Sequence, residues 1–371
     1  MSPYAHITGW GMSVPSNVLT NEEISQRMDI SDEWIQSRTG IRERHIAGPD
    51  QTSASLAIEA SLKALEVANL SPDELDLIIV ATSSPEHIFP ATACLVQDQI
   101  GAGNAGAFDL LAACTGFIFA LNMATQAIRS GSVKNALVIG AETLSRLVDW
   151  EDRNTCILFG DGAGAFVLQA HEEPAGVLSA VMRSDGSGGD LLSIPAGGSR
   201  LPTSLETVKN KDHYIHMNGR EVFRFATRVM VQATREAVEA AQITLDDISL
   251  IIPHQANARI IEAAVHGLAI PIERCLINVD RYGNTSTASI PIAVCEAVKD
   301  GRLNPGDKVV FVGFGAGLTW GAAVAQWSGP FPVRRKVRPV SYRMWARVRS
   351  FLRRLLRRIE GLIWGTQYPD W

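Results

Sequence analysis

The chain has 371 residues, of which 46% are hydrophobic and 20% charged, and its formal net charge at pH 7 is −5. This composition is compatible with a soluble enzyme that buries a substantial core, and the length suggests two domains or one large double domain. The sequence starts without a basic segment followed by an apolar one, and no uninterrupted apolar run is long enough to span a bilayer. The sequence therefore indicates neither secretion nor a membrane span, and we expect a cytoplasmic protein.

The five cysteines form no C-x-x-C pair, and none has a histidine at metal-ligand spacing. This pattern argues against a zinc site and against a disulfide framework. We expect free thiols and no metal.

An internal repeat organises the first 330 residues. An Ala-rich helix followed by an apolar strand is predicted at 54–82 and again at 226–255. Asn69 aligns with Gln242 at an offset of 173 residues, and the offset stays constant into the strand that follows. Each half is predicted to run helix, strand, short strand, helix, strand. Strands without alternating polarity indicate sheets covered on both faces, so we expect a duplicated α/β fold. A second correspondence relates residues 130–141 to 300–314.

Cys114 lies in L-A-A-C-T-G-F-I-F-A-L at 111–121, where a short apolar strand gives way to the start of a helix of small residues. Backbone N–H groups and the positive dipole end at such a helix start favour the thiolate, which is the nucleophilic form of cysteine. A lone cysteine in an apolar run is more often a packing residue. Its interpretation as a nucleophile therefore depends on partners elsewhere in the chain.

Two polar residues could supply those partners. His254 begins H-Q-A-N directly after the apolar run 248–253, and Asn284 follows a strand-like run at 275–279. Alone, the histidine would be interpreted as a core residue and the Gly-Asn pair as a turn. Open α/β sheets place their sites at strand ends, so Cys114, His254 and Asn284 together predict acyl transfer through a thioester.

Two glycine-rich runs have different interpretations. The run at 160–165 lacks the lysine and spacing of a phosphate-binding loop, and we expect it to be a structural close turn near the site. The run at 313–321 would let the backbone approach a thioester closely. Its Ala316 N–H is expected to pair with that of Cys114 as an oxyanion hole.

Six short motifs, in this order, resemble the beta-ketoacyl-acyl-carrier-protein synthase III family of thiolase-fold condensing enzymes over about residues 1–328. The resemblance implies a thiolase-like duplicated five-layered α-β-α-β-α fold with an N-terminal half at 1–172 and a C-terminal half at 173–330. A basic extension at 331–371 lies beyond the part that resembles the family. The motifs are S-D-E-W-I-Q-S-R-T-G-I-R-E-R-H at 31–45, A-A-C-T-G-F at 112–117, L-F-G-D-G-A-G-A at 158–165, H-Q-A-N-A-R-I at 254–260, G-N-T-S at 283–286 and G-F-G-A-G-L-T-W-G at 313–321.

The resemblance also implies a reaction. An acyl-CoA would acylate Cys114, and the acyl group would then condense with malonyl-acyl carrier protein, with loss of carbon dioxide, to initiate fatty acid biosynthesis. His254 and Asn284 would donate hydrogen bonds to the enolate formed in the second step. Both substrates are thioesters, and no cofactor is implied.

Further roles follow only from the family resemblance. Phe89 would reach into the acyl pocket of a partner subunit, which implies a homodimer. Arg224 and Arg259 are candidates for contacting the acidic acyl carrier protein. At the coenzyme A site, Trp34 and Arg38 would lie on either side of the adenine, and Arg153 would contact the same nucleotide. Gly219 and Asn257 would line the pantetheine channel.

The basic extension has no counterpart in the family. Residues 331–371, the tail, hold 11 of the 34 basic residues and two acidic residues, so the net charge of the tail is about +9. The first 330 residues, the body, therefore have a net charge of about −14. Apolar residues at three- and four-residue spacing predict an amphipathic helix over 342–364. It could lie on an anionic membrane surface, dock on the acidic body, or bind a partner or nucleic acid. The membrane surface is preferred because the apolar face is broad and flanked by tryptophan, and nucleic acid is disfavoured.

Other functions on the same fold fit less well or stay open. A 3-hydroxy-3-methylglutaryl-CoA synthase should carry a glutamate where this chain has A-T-S-S at 81–84, and a thiolase should carry a second cysteine near the C-terminal glycine run. A starter enzyme of secondary metabolism would keep the same three residues. A non-catalytic scaffold addressed by the basic tail is the remaining alternative, and no motif encodes acyl-chain length.

Overall fold

The computed structural model describes residues 3–331 and 338–364. The strands in chain order are β1 Tyr4–Ser13, β2 Val18–Thr20, β3 Glu43–His45, β4 Leu77–Ala81, β5 Gly106–Leu110, β6 Asn135–Thr143, β7 Asp161–His171, β8 Gly176–Ser184, β9 Leu192–Ser193, β10 His216–Met217, β11 Leu250–Pro253, β12 Lys308–Gly315 and β13 Thr319–Gln326. The α-helices are α1 Asn21–Ser25, α2 Asp32–Thr39, α3 Ser53–Ala68, α4 Thr92–Ile100, α5 Gly116–Arg129, α6 Leu205–Lys209, α7 Gly219–Ala240, α8 Ala258–Leu268, α9 Val279–Tyr282, α10 Ser289–Lys299 and α11 Pro339–Trp364.

Two sheets form the frame of the molecule. One has the strand order β1-β7-β6-β4-β5 and the other the order β11-β12-β13-β8. Helices α5 and α10 pack between the sheets, α3 and α4 cover the outer face of the first, and α7, with α8 beside it, covers the second. This is the five-layered α-β-α-β-α arrangement expected from the sequence.

The central layer explains why these helices carry so few charges. On α5, the successive residues Phe117 and Ile118, and then Ala120 and Leu121, are all buried. A helix that packs between two sheets has only a narrow solvent-facing side, here at Met123 and Gln126, so its sequence loses most of the polar face of an ordinary surface helix. The hydrophobic character of this segment therefore positions Cys114, which directly precedes it, deep inside the protein.

Aromatic rings join the two sheets behind the site. The ring of Phe166 on β7 meets Phe117 edge-on at 4.9 Å between centroids, and Trp327 lies 6.2 Å from the same ring. Trp327 is almost completely buried. Each such aromatic pair contributes about 0.5–1.5 kcal/mol beyond the burial of its surface. These contacts hold the two halves in a fixed relation.

The repeat in the sequence corresponds to equivalent backbone positions. Asn69 ends α3 with φ 51°, and Gln242, its partner at the 173-residue offset, has φ 58° just after α7. Each residue takes the left-handed conformation that reverses the chain before a strand, β4 or β11. We propose the boundary between the halves at 172–173, because β7 of the first sheet ends at His171 and β8 of the second begins at Gly176.

The prediction of a strand at 275–279 is wrong. Cys275 makes a single bridge to Ile251, and helix α9 begins at Val279. The neighbouring strand β11 continues to Pro253, but proline has no N–H to donate to the opposite chain. The side chain of Gln255 supplies the hydrogen bonds instead, because its amide donates to the Leu276 carbonyl at 3.1 Å and its oxygen accepts the Asn278 N–H at 2.9 Å.

The prediction of a close turn at 160–165 is also wrong, because strand β7 begins at Asp161. A Cβ on Gly164 would lie 2.6 Å from Pro291 on α10, which is closer than carbon atoms pack. The glycine is therefore needed where a helix crosses the strand, and not for a bend in the chain.

Helix α11 packs against α4 and α3 on the outer face of the first half. Within residues 3–331 and 338–364, no helix has both the length and the apolar character that crossing a membrane requires.

Candidate active site

A cavity of about 1430 Å³ opens where strands of both halves end. Cys114, His254 and Asn284 all line it, and so do Phe314 and Gly315 at the end of β12. The three residues proposed from separate stretches of sequence are therefore brought to one place.

Cys114 follows β5 in a short 3-10 turn, Ala113–Thr115, that leads into α5. Ala113, directly before the nucleophile, has φ 45°, an unfavourable conformation for a residue with a Cβ. Burial raises the pKa of Cys114 to about 12, a hydrogen bond with Ser286 opposes this, and the charge of Glu142 adds to it. Desolvation thus acts against the helix dipole invoked from the sequence, and a raised pKa favours a neutral thiol in the resting protein.

His254 lies just beyond β11 and is fully buried. Its Nδ1 is 2.7 Å from the hydroxyl of Ser289 on the first turn of α10, whereas Nε2 has no hydrogen-bond partner. Burial lowers the pKa of His254 to about 3, so the ring is neutral at physiological pH. A neutral imidazole with one anchored nitrogen and one open nitrogen is suited to a single hydrogen bond with a substrate.

Asn284 is fixed by its own backbone turn. Its Oδ1 accepts the Ser286 N–H at 2.8 Å, which leaves the amide NH₂ as the group available for donation. Its main chain joins the first half, since Asn284 N donates to Leu158 O at 2.8 Å and Gly160 N donates to Asn284 O at 3.0 Å. The residue is therefore oriented by contacts from both halves of the fold.

The end of β12 lies directly against the nucleophile turn. A Cβ on Gly315 would be 2.8 Å from Cys114 N and 3.1 Å from Thr115 Oγ1, so only glycine permits this approach. Thr319 ties the two segments together. Its hydroxyl lies 2.7 Å from Thr115 Oγ1 and within hydrogen-bonding distance of two carbonyl oxygens that share its one proton, those of Ala112 at 3.2 Å and Ala316 at 3.0 Å. Gly315 lines the cavity, and Ala316, the residue chosen from the sequence, is the next one along.

Glu142, which the sequence analysis missed, is a fully buried carboxylate at the end of β6. It accepts hydrogen bonds from Ser84 Oγ at 2.6 Å, from Ser83 N at 3.0 Å and from Thr287 Oγ1 at 3.0 Å. Burial raises its pKa, and these donors oppose the shift. Thr287 lies in the 3-10 turn Ser286–Ala288, just after Asn284, so Glu142 joins the end of β6 in the first half to the Asn284 segment of the second.

The sequence of this chain is similar to one family of acyl-carrier-protein synthases. Sequence profiles of "3-Oxoacyl-[acyl-carrier-protein (ACP)] synthase III" and of its C-terminal region match residues 108–186 and 238–327. A beta-ketoacyl-[acyl-carrier-protein] synthase III from Roseiflexus sp. (strain RS-1) is 51% identical over 328 residues, which cover 88% of this chain and 100% of the relative. The chain belongs to the beta-ketoacyl-[acyl-carrier-protein] synthase III family. The family predicted from the six motifs, with its condensing acyltransferase activity, is thereby confirmed.

Solved structures of the synthase III family agree with the fold. The 3-oxoacyl-[acyl-carrier-protein] synthase III from Aquifex aeolicus VF5 superposes with a TM-score of 0.81 at 48% identity, covering 87% of this chain and 100% of that one. The priming beta-ketosynthase from the R1128 polyketide biosynthetic pathway superposes with a TM-score of 0.83 at 36% identity, covering 89% and 98%.

The residues expected at coenzyme A lie mostly along the same cavity. Trp34, Arg38, Gly219 and Asn257 line it, whereas the exposed Arg153 does not, although its neighbours on both sides do. The Arg38 guanidinium lies 4.4 Å from the centroid of the Trp34 ring, so the two side chains stack directly on each other. An adenine between them would require Arg38 to move outward.

Asn257 has a structural role that the sequence did not reveal. It caps α8 by accepting the Arg259 N–H at 2.9 Å, and its amide donates to the Arg38 carbonyl at 3.0 Å. Its polar atoms are thus engaged in joining the end of α2 to the start of α8.

Arg224 and Arg259 are exposed at the cavity mouth, on α7 and α8. Arg224 pairs with Glu221 on its own helix, and Arg259 lies over the Phe223 ring at 5.8 Å. Arg220 also lines this rim and was not singled out from the sequence. The mouth therefore has a local positive charge on an acidic body.

Phe89 lies outside the cavity and is 84% exposed. It belongs to a group of exposed apolar side chains near the free edge of β5, together with Ile88, Phe108 and Leu111. In the described residues, no three histidine, cysteine or acidic side chains come together as a metal site would require. The five cysteines are free thiols.

Proposed function

We propose that this protein condenses an acyl-CoA with malonyl-acyl carrier protein and so initiates fatty acid biosynthesis, with Cys114, His254 and Asn284 as its catalytic residues. The observation that carries the proposal is the convergence of a buried thiol, an unpartnered imidazole nitrogen and a free amide on one cavity. Both substrates are thioesters, and no step requires a cofactor.

In the first half-reaction, the Cys114 sulfur attacks the thioester carbonyl of acyl-CoA. The oxyanion that forms is stabilised by the N–H groups of Cys114 and Ala316, whose segments are held together by Thr319. The sulfur–acyl bond of coenzyme A breaks, and the departing sulfur takes up the proton that Cys114 loses. A neutral thiol enters and a neutral thiol leaves, which is consistent with the raised pKa of Cys114.

In the second half-reaction, malonyl-acyl carrier protein loses carbon dioxide and leaves an enolate. The enolate oxygen accepts hydrogen bonds from His254 Nε2–H and the Asn284 NH₂, two neutral donors in a water-poor site. The carbanion carbon attacks the acyl thioester, a carbon–carbon bond forms and the sulfur–acyl bond breaks. The Cys114 thiolate that leaves takes up one proton from solvent. The required tautomer has the proton on Nε2, with the Ser289 hydroxyl donating to Nδ1.

Substrates reach this centre along the cavity. Trp34 and Arg38 would hold the adenine, with Arg153 nearby and with Gly219 and Asn257 beside the pantetheine arm. Electrostatic attraction from Arg224 and Arg259 would bring the acidic carrier protein to the mouth. We place the enzyme in the cytoplasm and include contact of residues 342–364 with a membrane surface in the proposal.

We further propose a homodimer formed through the free edge of β5. An unpaired strand edge flanked by exposed apolar side chains is suited to pairing with a second copy, and Phe89 would then contribute to the partner's acyl pocket. Leu111→Asp is expected to convert the dimer to a monomer in sedimentation velocity. An unchanged sedimentation coefficient would contradict this interface.

A second candidate is a priming enzyme of secondary metabolism. The R1128 priming beta-ketosynthase superposes as well as the fatty acid enzymes do. The two functions differ in the acyl group delivered and in the carrier protein served, not in the catalytic residues.

The test uses intact-protein mass spectrometry of wild type and Cys114→Ala with acyl-CoAs of increasing length. We expect a mass increment on the wild type alone, which malonyl-carrier protein clears with formation of a 3-ketoacyl product. An increment that malonyl-carrier protein leaves in place would indicate another acceptor. No increment with any acyl-CoA would contradict the proposal and favour the scaffold alternative.

A further inference from the structure

Helix α11 rests on the body through a narrow face of small and polar side chains. Ala346 and Ser350 are buried, and the Ser350 hydroxyl donates to Asp98 on α4 at 2.7 Å. Arg349 donates to the Gly101 carbonyl at 3.2 Å. These contacts fix the rotation of the helix about its own axis.

The opposite face of α11 is apolar and points to solvent. At about 100° per residue its large apolar side chains span roughly 140° of the circumference, centred opposite Ala346 and Ser350. An amphipathic helix of a globular protein normally buries such a stripe against the core, and here the orientation is reversed. We call these side chains the outer stripe, and each is at least 42% exposed: Met344, Trp345, Val348, Phe351, Leu352, Leu355, Leu356 and Ile359.

Arginines border the outer stripe. Arg347, Arg354 and Arg358 follow one side of it and Arg353 the other, and Glu360 is the only acidic residue from 339 to 364. Every residue from Phe351 to Glu360 is exposed, so this half of the helix extends past the body. A broad apolar stripe bordered by arginines, on a helix that is exposed from Phe351 to Glu360, has the chemistry of a helix lying in a membrane interface.

The helix is an addition to the family architecture. The Roseiflexus relative is matched over its full length by 328 residues of this chain, which leaves α11 without a counterpart there. The body carries about −14, which repels anionic lipid, whereas the extension carries about +9. The charge that would favour a membrane surface is thus confined to the segment that also presents the apolar stripe.

We propose that α11 is a preformed interfacial helix that binds anionic membrane lipid, with the outer stripe at the acyl-chain boundary and the flanking arginines at the phosphates. This inference rests on the membrane contact included in the proposed function, whereas the condensing chemistry is independent of it. The body contacts of α11 lie at the end of α4 that precedes β5, while Cys114 follows the other end of β5. A bound membrane would therefore leave the cavity open to carrier protein.

The test is sedimentation of the full-length protein with vesicles of phosphatidylcholine alone or mixed with phosphatidylglycerol. We expect binding to the mixed vesicles that weakens with added salt. Leu352→Glu with Leu356→Glu should reduce binding by about tenfold or more, because both side chains belong to the outer stripe. The matched control is Leu205→Glu with Val208→Glu on α6, which makes the same charge change at two exposed apolar residues elsewhere and should bind as wild type does.

Three results would overturn the inference. The first is wild type that sediments no better with phosphatidylglycerol vesicles than with phosphatidylcholine, and the second is an outer-stripe variant that binds as wild type does. The third is a larger assembly of the wild type that the outer-stripe variant dissolves while neither binds vesicles, which would mean that the stripe pairs with a second copy. The acyl-enzyme mass increment, measured on the same samples, should be equal in all variants. Its absence from the wild type would contradict the condensing function without affecting the vesicle result.

Discussion

The Ser289 hydroxyl lies 2.7 Å from Nδ1 of His254, a residue that lines the cavity, and the opposite ring nitrogen, Nε2, has no hydrogen-bond partner. The direction of this one hydrogen bond decides the tautomer of the imidazole. A hydroxyl that donates to Nδ1 leaves the proton on Nε2, where an enolate oxygen can accept it. Ser289 is therefore a positioning residue that acts through His254.

Ser289→Ala is expected to slow condensation by about 10- to 100-fold while leaving acylation of Cys114 unchanged, because only the second half-reaction needs the oriented imidazole. Acylation is read from the mass increment with acyl-CoA, and condensation from carbon dioxide release with malonyl-carrier protein. Equal losses in both half-reactions would indicate a general structural effect and contradict the assigned role.

The acid stability of the protein should depend on His254. Burial lowers the pKa of His254 to about 3, against about 6.5 in the unfolded chain. As the pH falls below about 6.5, the unfolded chain binds a proton that the native state excludes, so His254 reduces stability through this window.

We expect the free energy of unfolding of the wild type to fall more steeply between about pH 6 and pH 4 than that of His254→Asn, by about 1.4 kcal/mol per pH unit. Urea denaturation at several pH values measures both slopes, and the other titrating groups cancel in the comparison. Parallel slopes for the two proteins would contradict the burial of a neutral ring.

The reactivity of the nucleophile should follow its burial. Because the pKa of Cys114 is raised to about 12, its alkylation by iodoacetamide should accelerate about tenfold per pH unit from about pH 7 to about pH 10, without a plateau. Alkylation of the Cys114→Ala variant gives the background rate from the exposed Cys94. A plateau near neutral pH would show that the helix start and the Ser286 hydrogen bond outweigh desolvation.

The same residue shows what the sequence predicted well and what it could not. Cys114, His254 and Asn284 could be proposed because each follows a predicted element in a short motif, and the repeat predicted a duplicated fold. The direction of the Cys114 pKa shift could not be predicted from the sequence. An argument from the helix start alone does not show how deeply the sulfur is buried.

Glu142, Ser289 and Thr319 were missed for a related reason. Serine and threonine are ordinary in strands and helix starts, and their partners lie far away in the chain. Glu142 did leave a signal, since it is the one charged residue in the apolar run 136–143. A carboxylate in such a run is buried only where donors surround it. The strand expected at 275–279 failed because a side chain, Gln255, replaced the backbone partner that a strand needs.

The approach of β12 to the nucleophile can be tested with a pair of opposite substitutions. Gly315→Ala would place a Cβ 2.8 Å from Cys114 N, so the two segments would have to move apart and the oxyanion site would be disturbed. We expect the acylation rate to fall by about 100-fold or more. Ala316→Gly keeps the backbone N–H that the proposal uses, and its rate should stay within about twofold of wild type. A tolerated Gly315→Ala would contradict the assignment of this loop to the oxyanion hole.

The buried carboxylate of Glu142 connects stability with the nucleophile. Glu142→Gln places an NH₂ group among the Ser83, Ser84 and Thr287 donors, so at least one donor loses its acceptor, at a cost of about 1–3 kcal/mol. The charge that raises the pKa of Cys114 is removed at the same time, so the thiol should alkylate faster at a given pH.

Glu206→Gln on the exposed face of α6 is the control and should change stability by less than about 0.5 kcal/mol. Urea denaturation and iodoacetamide kinetics read the two effects separately. Lower stability with unchanged alkylation would mean that Glu142 joins the halves without acting on Cys114, and unchanged stability would contradict its place in the network between them.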